Sequence, residues 1–457
     1  MQMKKLSRSM LDGPIFSGIL LYTIPIMLTG ILQLLFNAAD MVIVGQFRGS
    51  DAVAAVGATG ALTNLIINLF MGLSVGAGVS VAHGLGGRQN TAVHRTVHTA
   101  VLLALVSGAI LTVIGVIFSE RFLEMMGTDK DILQLSALYM KIYFGGITFT
   151  MVYNFCASML RAAGDTRSPL IFLIISGAAN VVLNIAFIIF FGMGVDGVAL
   201  ATVISQAISA VLVVIALMRR TDACKLELRK LRFYGKQLRK IVGIGLPAGI
   251  QGSLFSISNV IIQSSVNSFT KVAMAGHAAA GNLDGFVYVL MNAFMQAAVN
   301  YIGQNAGAHQ FKRIRKIFIT CCYMATLLGL TSGTLMYVFG RPLLAIYLPD
   351  SPDAIQYGII RLAWIGIPYF LCGIMEVSTG GLRALGSSVA PMIISILGVC
   401  GLRLLWIFTI FAIPEYHTLE CLYLSYAISW LVTAAIQIIT FIAIYKKQKK
   451  KYQLATA

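Results

Sequence analysis

The chain has few charged residues for its length. Asp, Glu, Lys and Arg make up 11% of its 457 residues, whereas 58% of the residues are hydrophobic. So few charges cannot cover a soluble globule of this size, which excludes the soluble classes. Apolar runs of about 20 residues or more predict an all-α membrane protein with twelve transmembrane helices. The predicted spans are 16–43, 53–80, 93–118, 134–159, 169–191, 195–218, 240–266, 278–304, 316–339, 355–380, 391–413 and 421–445.

Acidic residues are scarcer than basic ones, with 17 Asp and Glu against 34 Lys and Arg. Of the basic residues, 26 fall in alternate connections, and ten of the acids, among them Asp350, fall in the opposite ones. The basic connections include Lys4, Lys5 and Arg8 at the start and Lys446 to Lys451 at the end. This bias predicts a plasma membrane protein with both termini cytoplasmic. It also favours anionic membrane lipid, and not nucleic acid, as the partner of the basic charge.

The sequence lacks the constellations that chemistry needs. Its seven cysteines have no metal-type spacing, so we expect reduced packing residues. Its six histidines fall at predicted helix ends or in loops, without acidic neighbours. No Gly-rich phosphate loop with a following Lys is present, which argues against ATP as the energy source. We therefore expect no enzyme and no cofactor. Any transport would be passive or driven by an ion gradient, and a membrane-embedded enzyme is the rival interpretation.

The sequence contains an internal repeat. Shifted by 222 residues, 160–169 (LRAAGDTRSP) aligns with 382–391 (LRALGSSVAP), and Pro25 aligns with Pro247. Six spans in each half bring both halves into the membrane from the same side, so the repeat is parallel and the fold is two six-helix bundles. Two such halves suggest a transporter with its substrate between them. The predicted parts are an N-terminal lobe, 1–218, a basic cytoplasmic linker, 219–240, a C-terminal lobe, 241–445, and a basic cytoplasmic tail, 446–457.

Polar residues inside the N-terminal spans predict a cation site. Asp40 is an acid in the first of these spans, and a charge within a span is a functional candidate by default. Gln33 and Asn37 share its helix face by their spacing. Further amides lie on spans four and five, at Asn154, Asn180 and Asn184. One carboxylate among neutral dipoles suits a proton or Na+, and Na+ at Asp40 is the only metal that we expect.

The C-terminal spans predict a different site. Two acids lie within them, Asp284 and Glu376. Methionine and aromatic side chains around acids form an adaptable surface for bulky lipophilic cations, although core packing would explain any single one of them. The candidate substrate-binding residues are Asp284, Glu376, Tyr288, Met291, Asn259 and Gln263.

Three basic residues within spans predict ion pairs. By its distance from the helix end, Lys141 is level with Asp40 and Arg361 is level with Asp284, so we expect one acid–base pair in each lobe. Arg403 is placed to reach Glu376. Each pair could be structural or could take part in ion coupling.

These motifs together resemble the MATE (multidrug and toxic compound extrusion) family over essentially the whole chain. They are the parallel repeat, Ile24-Pro25 and Leu246-Pro247, the segment 40–45 (DMVIVG) that ends helix 1, and the doubled Leu-Arg-Ala-x-Gly turns. The resemblance implies a V-shaped pair of bundles that exports organic cations and toxic compounds in antiport with Na+ or H+ by alternating access. It also implies that Asp40 is a coupling-ion residue, with Gln33, Asn154 and Asn180 as polar partners. We expect a monomer.

Two departures from the family pattern leave the ion open. A second acid found on helix 5 in some members is Asn184 here, and the helix 7 glutamate of the sodium-coupled branch falls at Phe255. A flippase for a lipid-linked saccharide is the alternative function. It would favour several cations in its cavity, to bind a pyrophosphate.

Overall fold

The computed structural model describes residues 10–349 and 351–456, without the side chains of residues 50 and 61. Lys4, Lys5, Arg8 and Asp350, which entered the topology prediction, lie outside the described residues. Within them, ten helices are long and apolar enough to cross a membrane, and two bent helix pairs bring the spans to twelve. The prediction of an all-α protein with twelve spans is therefore confirmed.

The twelve spans are numbered in chain order. They are α1 (Ile15–Gly49), α2 (Asp51–Gly86), α3 (Asn90–Met125), α4 (Lys130–Gly145 and Ile147–Ala162, bent by 48°), α5 (Arg167–Phe190), α6 (Val195–Met218), α7 (Gly235–Val266), α8 (Lys271–Gly307), α9 (Phe311–Val338), α10 (Pro352–Gly366 and Tyr369–Ala384, bent by 42°), α11 (Val389–Phe408) and α12 (Leu419–Thr456). A short helix, Gly340–Tyr347, lies between α9 and α10. Because lipid offers no hydrogen bonds to the backbone, an apolar run of this length satisfies its N–H and C=O groups as a helix.

Helix ends differ from the predicted linker and tail. Helix α7 begins at Gly235, so the last residues of the predicted linker, 219–240, are helical. Helix α12 continues to Thr456 and includes almost all of the predicted tail, 446–457. Lysine is a good helix former, so a run of lysines can prolong a helix beyond its apolar part.

Glycine explains the doubled Leu-Arg-Ala-x-Gly motif. Gly164 has φ 90° and Gly386 has φ 81°, a left-handed conformation that side chains rarely adopt. These glycines end α4 and α10 in equivalent turns. After the first turn, Asp165 Oδ1 accepts a hydrogen bond from the Ser168 N–H at 3.0 Å, which supports the start of α5.

The structure divides into two compact units. The N-terminal unit comprises Leu28–Gly249, and the C-terminal unit comprises the described residues up to Met27 and those from Ile250 onward. Helix α1 therefore passes between units shortly after Pro25, and α7 does so shortly after Pro247. A proline inside a helix removes a hydrogen bond and permits a bend, so both passages follow a point of weakened backbone.

Glycine also allows two helices of the N-terminal unit to cross closely. A Cβ atom on Gly72 of α2 would come within 2.1 Å of the Gly249 nitrogen of α7, and one on Gly76 within 2.2 Å of the Ile241 oxygen. Gly72 and Gly76 are four residues apart, as are Gly245 and Gly249, so each helix presents a small-xxx-small face. This crossing holds the first part of α7 against the N-terminal unit.

All seven cysteines are free thiols, and five of them are buried.

Segment 219–234, between α6 and α7, is held against α3. The Glu227 N–H donates to His98 Nε2 at 3.1 Å, and the Tyr234 N–H donates to Thr99 Oγ1 at 3.2 Å. The chain between the two repeats is therefore anchored on the N-terminal unit.

Candidate functional site

The candidate ion site of the N-terminal unit lies where α1 meets α5. Asn184 Nδ2 donates to Asp40 Oδ1 at 2.6 Å and lies 3.3 Å from Asn180 Oδ1. Asn180 and Asn184 are one helical turn apart and both are buried. The structure therefore brings three of the six predicted coupling-ion residues together, around one carboxylate.

Close packing of α1 on α5 positions this carboxylate. A Cβ atom on Gly177 would lie 1.9 Å from Phe36 Cε2, so the ring fits against a glycine that offers it space. Gly177 precedes Asn184 by two helical turns on α5, and Phe36 precedes Asp40 by about one turn on α1. The contact between Gly177 and Phe36 and the contact between Asn184 and Asp40 therefore follow one line of packing between the two helices, which we call the seam. Tyr139 of α4 lies within electrostatic range of Asp40 and stacks on Tyr143, with ring centroids 6.2 Å apart.

The other predicted ion-site residues are placed differently. Asn154 donates its amide to the Thr150 carbonyl of its own helix, at 2.8 Å. Gln33 and Asn37 are exposed on α1. The spacing argument put them on one face with Asp40, but Asp40 lies far enough round the helix to reach α5.

The predicted pair of Asp40 with Lys141 is wrong. Lys141 Nζ lies 3.6 Å from Glu120 Oε2, and both side chains are about two-fifths exposed. Counting depth along two helices could not give the direction in which each side chain leaves its helix.

The predicted pair of Asp284 with Arg361 is present in the C-terminal unit. Arg361 Nε donates to Asp284 Oδ2 at 2.9 Å, and the Asp284 side chain is 5% exposed. Arg361 Nη1 also lies 2.5 Å from His277 Nε2 and 2.9 Å from His277 Nδ1, and the Tyr423 hydroxyl lies 2.9 Å from Nδ1. Since a guanidinium only donates, His277 accepts from it as a neutral imidazole.

Sequence reasoning missed His277 and Tyr423. The histidine was assigned to a helix end without acidic neighbours; it lies near the start of α8, two turns before Asp284, and contacts Arg361 and Tyr423. That spacing of seven residues was the available signal, since i and i+7 share a helix face. Nothing in the sequence pointed to Tyr423 of α12.

Glu376 forms a second acidic site in the C-terminal unit. It is 7% exposed and lies within electrostatic range of Tyr288 of α8 and of Arg383, two turns further along α10. Arg383 Nη2 donates to Gln251 Oε1 of α7 at 2.9 Å. Because Tyr288 is 42% exposed, this acid has an aromatic neighbour that a ligand can touch.

The predicted reach of Arg403 to Glu376 is wrong. Arg403 Nε donates to Ser429 Oγ at 2.9 Å, and the guanidinium carbon lies 3.9 Å from the centre of the Tyr426 ring. It also lies 5.5 Å from the centre of the Trp430 ring. A guanidinium that stacks on aromatic faces is stabilised without an acid, which the search for charge partners did not consider.

The remaining substrate candidates divide into exposed and buried. Asn259 and Gln263 are exposed on α7, and Gln263 Nε2 donates to Asn267 Oδ1 at 3.1 Å. Met291 is fully buried, and a Cβ atom on Gly373 of α10 would lie 2.5 Å from its sulfur. Met291 therefore packs in the core of the C-terminal unit.

The residues around Asp40 offer oxygen atoms that could bind Na+. The Asp40 carboxylate, Asn180 Oδ1 and Asn184 Oδ1 are oxygen donors of the kind that hard cations prefer. Asn184 Oδ1 is buried and has no hydrogen-bond partner among the described residues, so it is free to accept. No group of three or more His, Cys, Asp or Glu residues is clustered for a metal in the described part of the chain. These donor types suit a monovalent cation, although the Asn184 amide turns its nitrogen, and not Oδ1, toward Asp40 and Asn180.

Comparison with known proteins agrees with this architecture. A family model described as MatE matches residues 25–186 and 247–409, two segments whose starts are 222 residues apart. The chain is 28% identical over 410 residues to the probable multidrug resistance protein YoeA of Bacillus subtilis, covering 88% of each chain. It is 27% identical over 393 residues to the probable multidrug resistance protein YpnP of the same organism, covering 86% of this chain and 87% of the relative.

A solved structure shows the same fold. It is an outward-facing conformation of a multidrug resistance MATE family transporter, with a TM-score of 0.89 at 20% sequence identity. The match covers 97% of this chain and 98% of that one.

Proposed function

The chain belongs to the MatE family of multi-pass membrane proteins, and from this premise we propose that it exports organic cations and other toxic compounds in antiport with H+ or Na+. The observation that carries the proposal is the partly buried Asp40 carboxylate, which accepts a hydrogen bond from Asn184. A carboxylate between two helices can change their contacts when it gains or loses a cation. The names of the relatives YoeA and YpnP support multidrug resistance as the activity.

The proposed coupling step is a competition at Asp40. A proton on the carboxylate, or Na+ bound to it, weakens the hydrogen bond from Asn184 and changes how α1 packs on α5. Pro25 weakens the backbone of α1 below this contact, so the helix can bend there. Alternating access then follows if the ion and the substrate favour opposite conformations.

The proposed substrate contacts lie in the C-terminal unit. Glu376 supplies a negative charge, and Tyr288 supplies an aromatic face that attracts a cation. Asn259 and Gln263 add exposed amides on α7. Asp284 already has Arg361 as its counterion, so we assign recognition of the substrate's charge to Glu376.

The proposed setting is the plasma membrane, with both termini in the cytoplasm. Helix α12 carries a lysine-rich end, in which Lys446, Lys447, Lys450 and Lys451 are exposed. Such a cluster at a span end is attracted to anionic lipid headgroups. We propose that the protein acts as a monomer, and the proposed cycle contains no chemical step that would require a catalyst.

The test is efflux of a fluorescent lipophilic cation from proteoliposomes under separately imposed Na+ and H+ gradients. We expect one gradient to drive efflux in the wild type and Asp40→Asn to abolish it. Asn37→Ala is the matched control, since it removes an exposed polar side chain from the same helix. If Asp40→Asn transports at the wild-type rate, the coupling role of Asp40 is wrong. If neither gradient drives efflux in the wild type, the flippase alternative becomes the better hypothesis.

A further inference from the structure

A buried oxygen of the C-terminal unit has no partner. Asp284 Oδ2 accepts a hydrogen bond from Arg361. Asp284 Oδ1, in contrast, has no hydrogen-bond partner among the described residues and essentially no accessible surface. A buried charged oxygen without a donor is costly, and inside a membrane protein it marks a functional site more often than a defect. Neither the family match nor the ion site at Asp40 accounts for it.

The surroundings of this oxygen decide what could bind it. The charged or titratable groups that interact with Asp284 are Arg361 and Tyr369 of α10 and Tyr423 of α12, and His277 of α8 contacts Arg361. The apolar Leu344, from the short helix before α10, and Met336 of α9 also pack in this region. Because Oδ1 has no accessible surface, neither a water molecule nor Na+ has room beside it. A proton needs no such room.

We propose that Asp284 is a proton-binding site in the C-terminal unit, and that a proton on Oδ1 releases the charge pair with Arg361. The proton comes from solvent and forms an O–H bond at Oδ1, which removes the negative charge of the carboxylate. Arg361 keeps its positive charge and retains His277 as a neutral acceptor. The pair is intact at high pH and is lost as the pH falls. The proposal does not depend on the transport function above.

Local backbone geometry offers a direct way to test it. Segment Leu362–Gly366 forms a π-helical turn immediately after Arg361, and such turns occur often at functional sites. A Cβ atom on Gly366 would lie 3.8 Å from Asp284 Oδ1 and 3.7 Å from Leu362, which are ordinary contacts. A serine Cβ atom therefore fits there, and its hydroxyl, one bond further, can donate to the unpartnered oxygen once neighbouring side chains shift. Alanine adds the same Cβ atom without a donor.

Tryptophan fluorescence reports on the C-terminal unit. The chain has three tryptophans, Trp364, Trp406 and Trp430, and all belong to the C-terminal unit. Trp364 lies within the π-helical turn, and Trp430 packs on Tyr369 with ring centroids 5.0 Å apart. Because the coupling proposed above lets Asp40 affect the whole protein, Asp40→Asn is the control: a step that persists in this variant does not come from Asp40.

The experiment is a pH titration of tryptophan fluorescence on the full-length protein in lipid nanodiscs. We expect one step in the wild type and in Asp40→Asn, and no step in Asp284→Asn. Gly366→Ser should move the midpoint about one pH unit lower, because a hydrogen bond to the charged form favours the carboxylate. Gly366→Ala should leave the midpoint in place. Since Asp284→Asn leaves Arg361 unpaired and can fold poorly, the serine and alanine variants test the site independently.

Controls separate Asp284 from its neighbours. Glu376→Gln and His277→Gln should keep the step, although its amplitude can change. The proposal is overturned if the folded wild type shows no step, or if Asp284→Asn keeps it. It is also overturned if His277→Gln alone removes the step, or if the serine and alanine variants at Gly366 share one midpoint.

Discussion

Asp40 of the N-terminal unit and Asp284 of the C-terminal unit are both acids within a helix bundle, but they have different partners. Asp40 accepts from the neutral amide of Asn184, whereas Asp284 accepts from the charged guanidinium of Arg361. A neutral donor leaves the negative charge uncompensated, so a cation or proton can still bind favourably at Asp40. A guanidinium already supplies the compensating charge, so Asp284 requires a stronger reason to change state.

The difference bears on how each unit can respond to ions. At Asp40 an added cation would complete a partly satisfied site, which suits the proposed coupling ion, since that ion must bind and leave in every cycle. At Asp284 a proton has to replace an existing ion pair. The first arrangement favours reversible exchange, and the second favours two distinct states separated by the breaking of a contact.

The largest expected effect is loss of the Asp284 counterion. Arg361→Gln leaves a buried carboxylate without its cation and should lower the free energy of unfolding by about 3–5 kcal/mol. Unfolding in mixed detergent micelles, followed by circular dichroism, measures this at neutral pH. The double variant Asp284→Asn with Arg361→Gln should lose less than the sum of the single variants, since neither charge is then left alone. An additive double variant would show that the two side chains do not stabilise each other.

A smaller effect is expected for the partner of Asp40. Asn184→Leu keeps the side-chain volume but removes the hydrogen bond to a charged acceptor, which should cost about 1.5–3 kcal/mol. The same unfolding measurement applies. Asn154→Leu is the matched control on α4, because the Asn154 amide donates to its own helix backbone and not to Asp40. If both leucine variants lower the free energy of unfolding equally, the hydrogen bond from Asn184 to Asp40 does not stabilise the protein.

The sequence predicted the architecture because composition and repetition act over many residues. Twelve apolar runs had to become helices in lipid, and each of them corresponds to a straight or bent span of the structure. The repeat at 222 residues reappears in the left-handed turns at Gly164 and Gly386 and in the two segments that the family model matches. These features do not depend on any single side-chain direction.

Side-chain pairing was only partly predictable. The depth argument was right for Asp284 with Arg361 and wrong for Asp40 with Lys141, because depth gives the level of a residue but not its rotation about the helix axis. The assignment of Arg403 to Glu376 failed because aromatic rings can replace an acid as the partner of a guanidinium. The spacing of His277 from Asp284 was readable in the sequence, but its significance required knowing that α10 and α12 pack there.

Packing at the seam between α1 and α5 gives a further way to test how Asp40 is held. Gly177→Ala places a methyl group against the Phe36 ring and should cost about 1–3 kcal/mol by overpacking. Gly60→Ala is the matched control within α2, where a Cβ atom has nothing within 4 Å. If the seam positions Asp40, Gly177→Ala should also slow ion-driven efflux, measured in the same proteoliposome assay. A stable Gly177→Ala protein with wild-type efflux would show that the Phe36 contact does not position the carboxylate.

The smallest effect should come from the ion pair of Lys141 with Glu120, which the structure has in place of the predicted pair of Lys141 with Asp40. Lys141 and Glu120 are 3.6 Å apart, and both side chains are about two-fifths exposed. An exposed ion pair gains little, because solvent screens it and two flexible side chains lose freedom to form it. Lys141→Gln should therefore change the free energy of unfolding by no more than about 0.5 kcal/mol. A cost close to that of Arg361→Gln would mean that Lys141 compensates a buried charge after all, with Asp40 as the nearest candidate, and the contrast between the two units would then disappear.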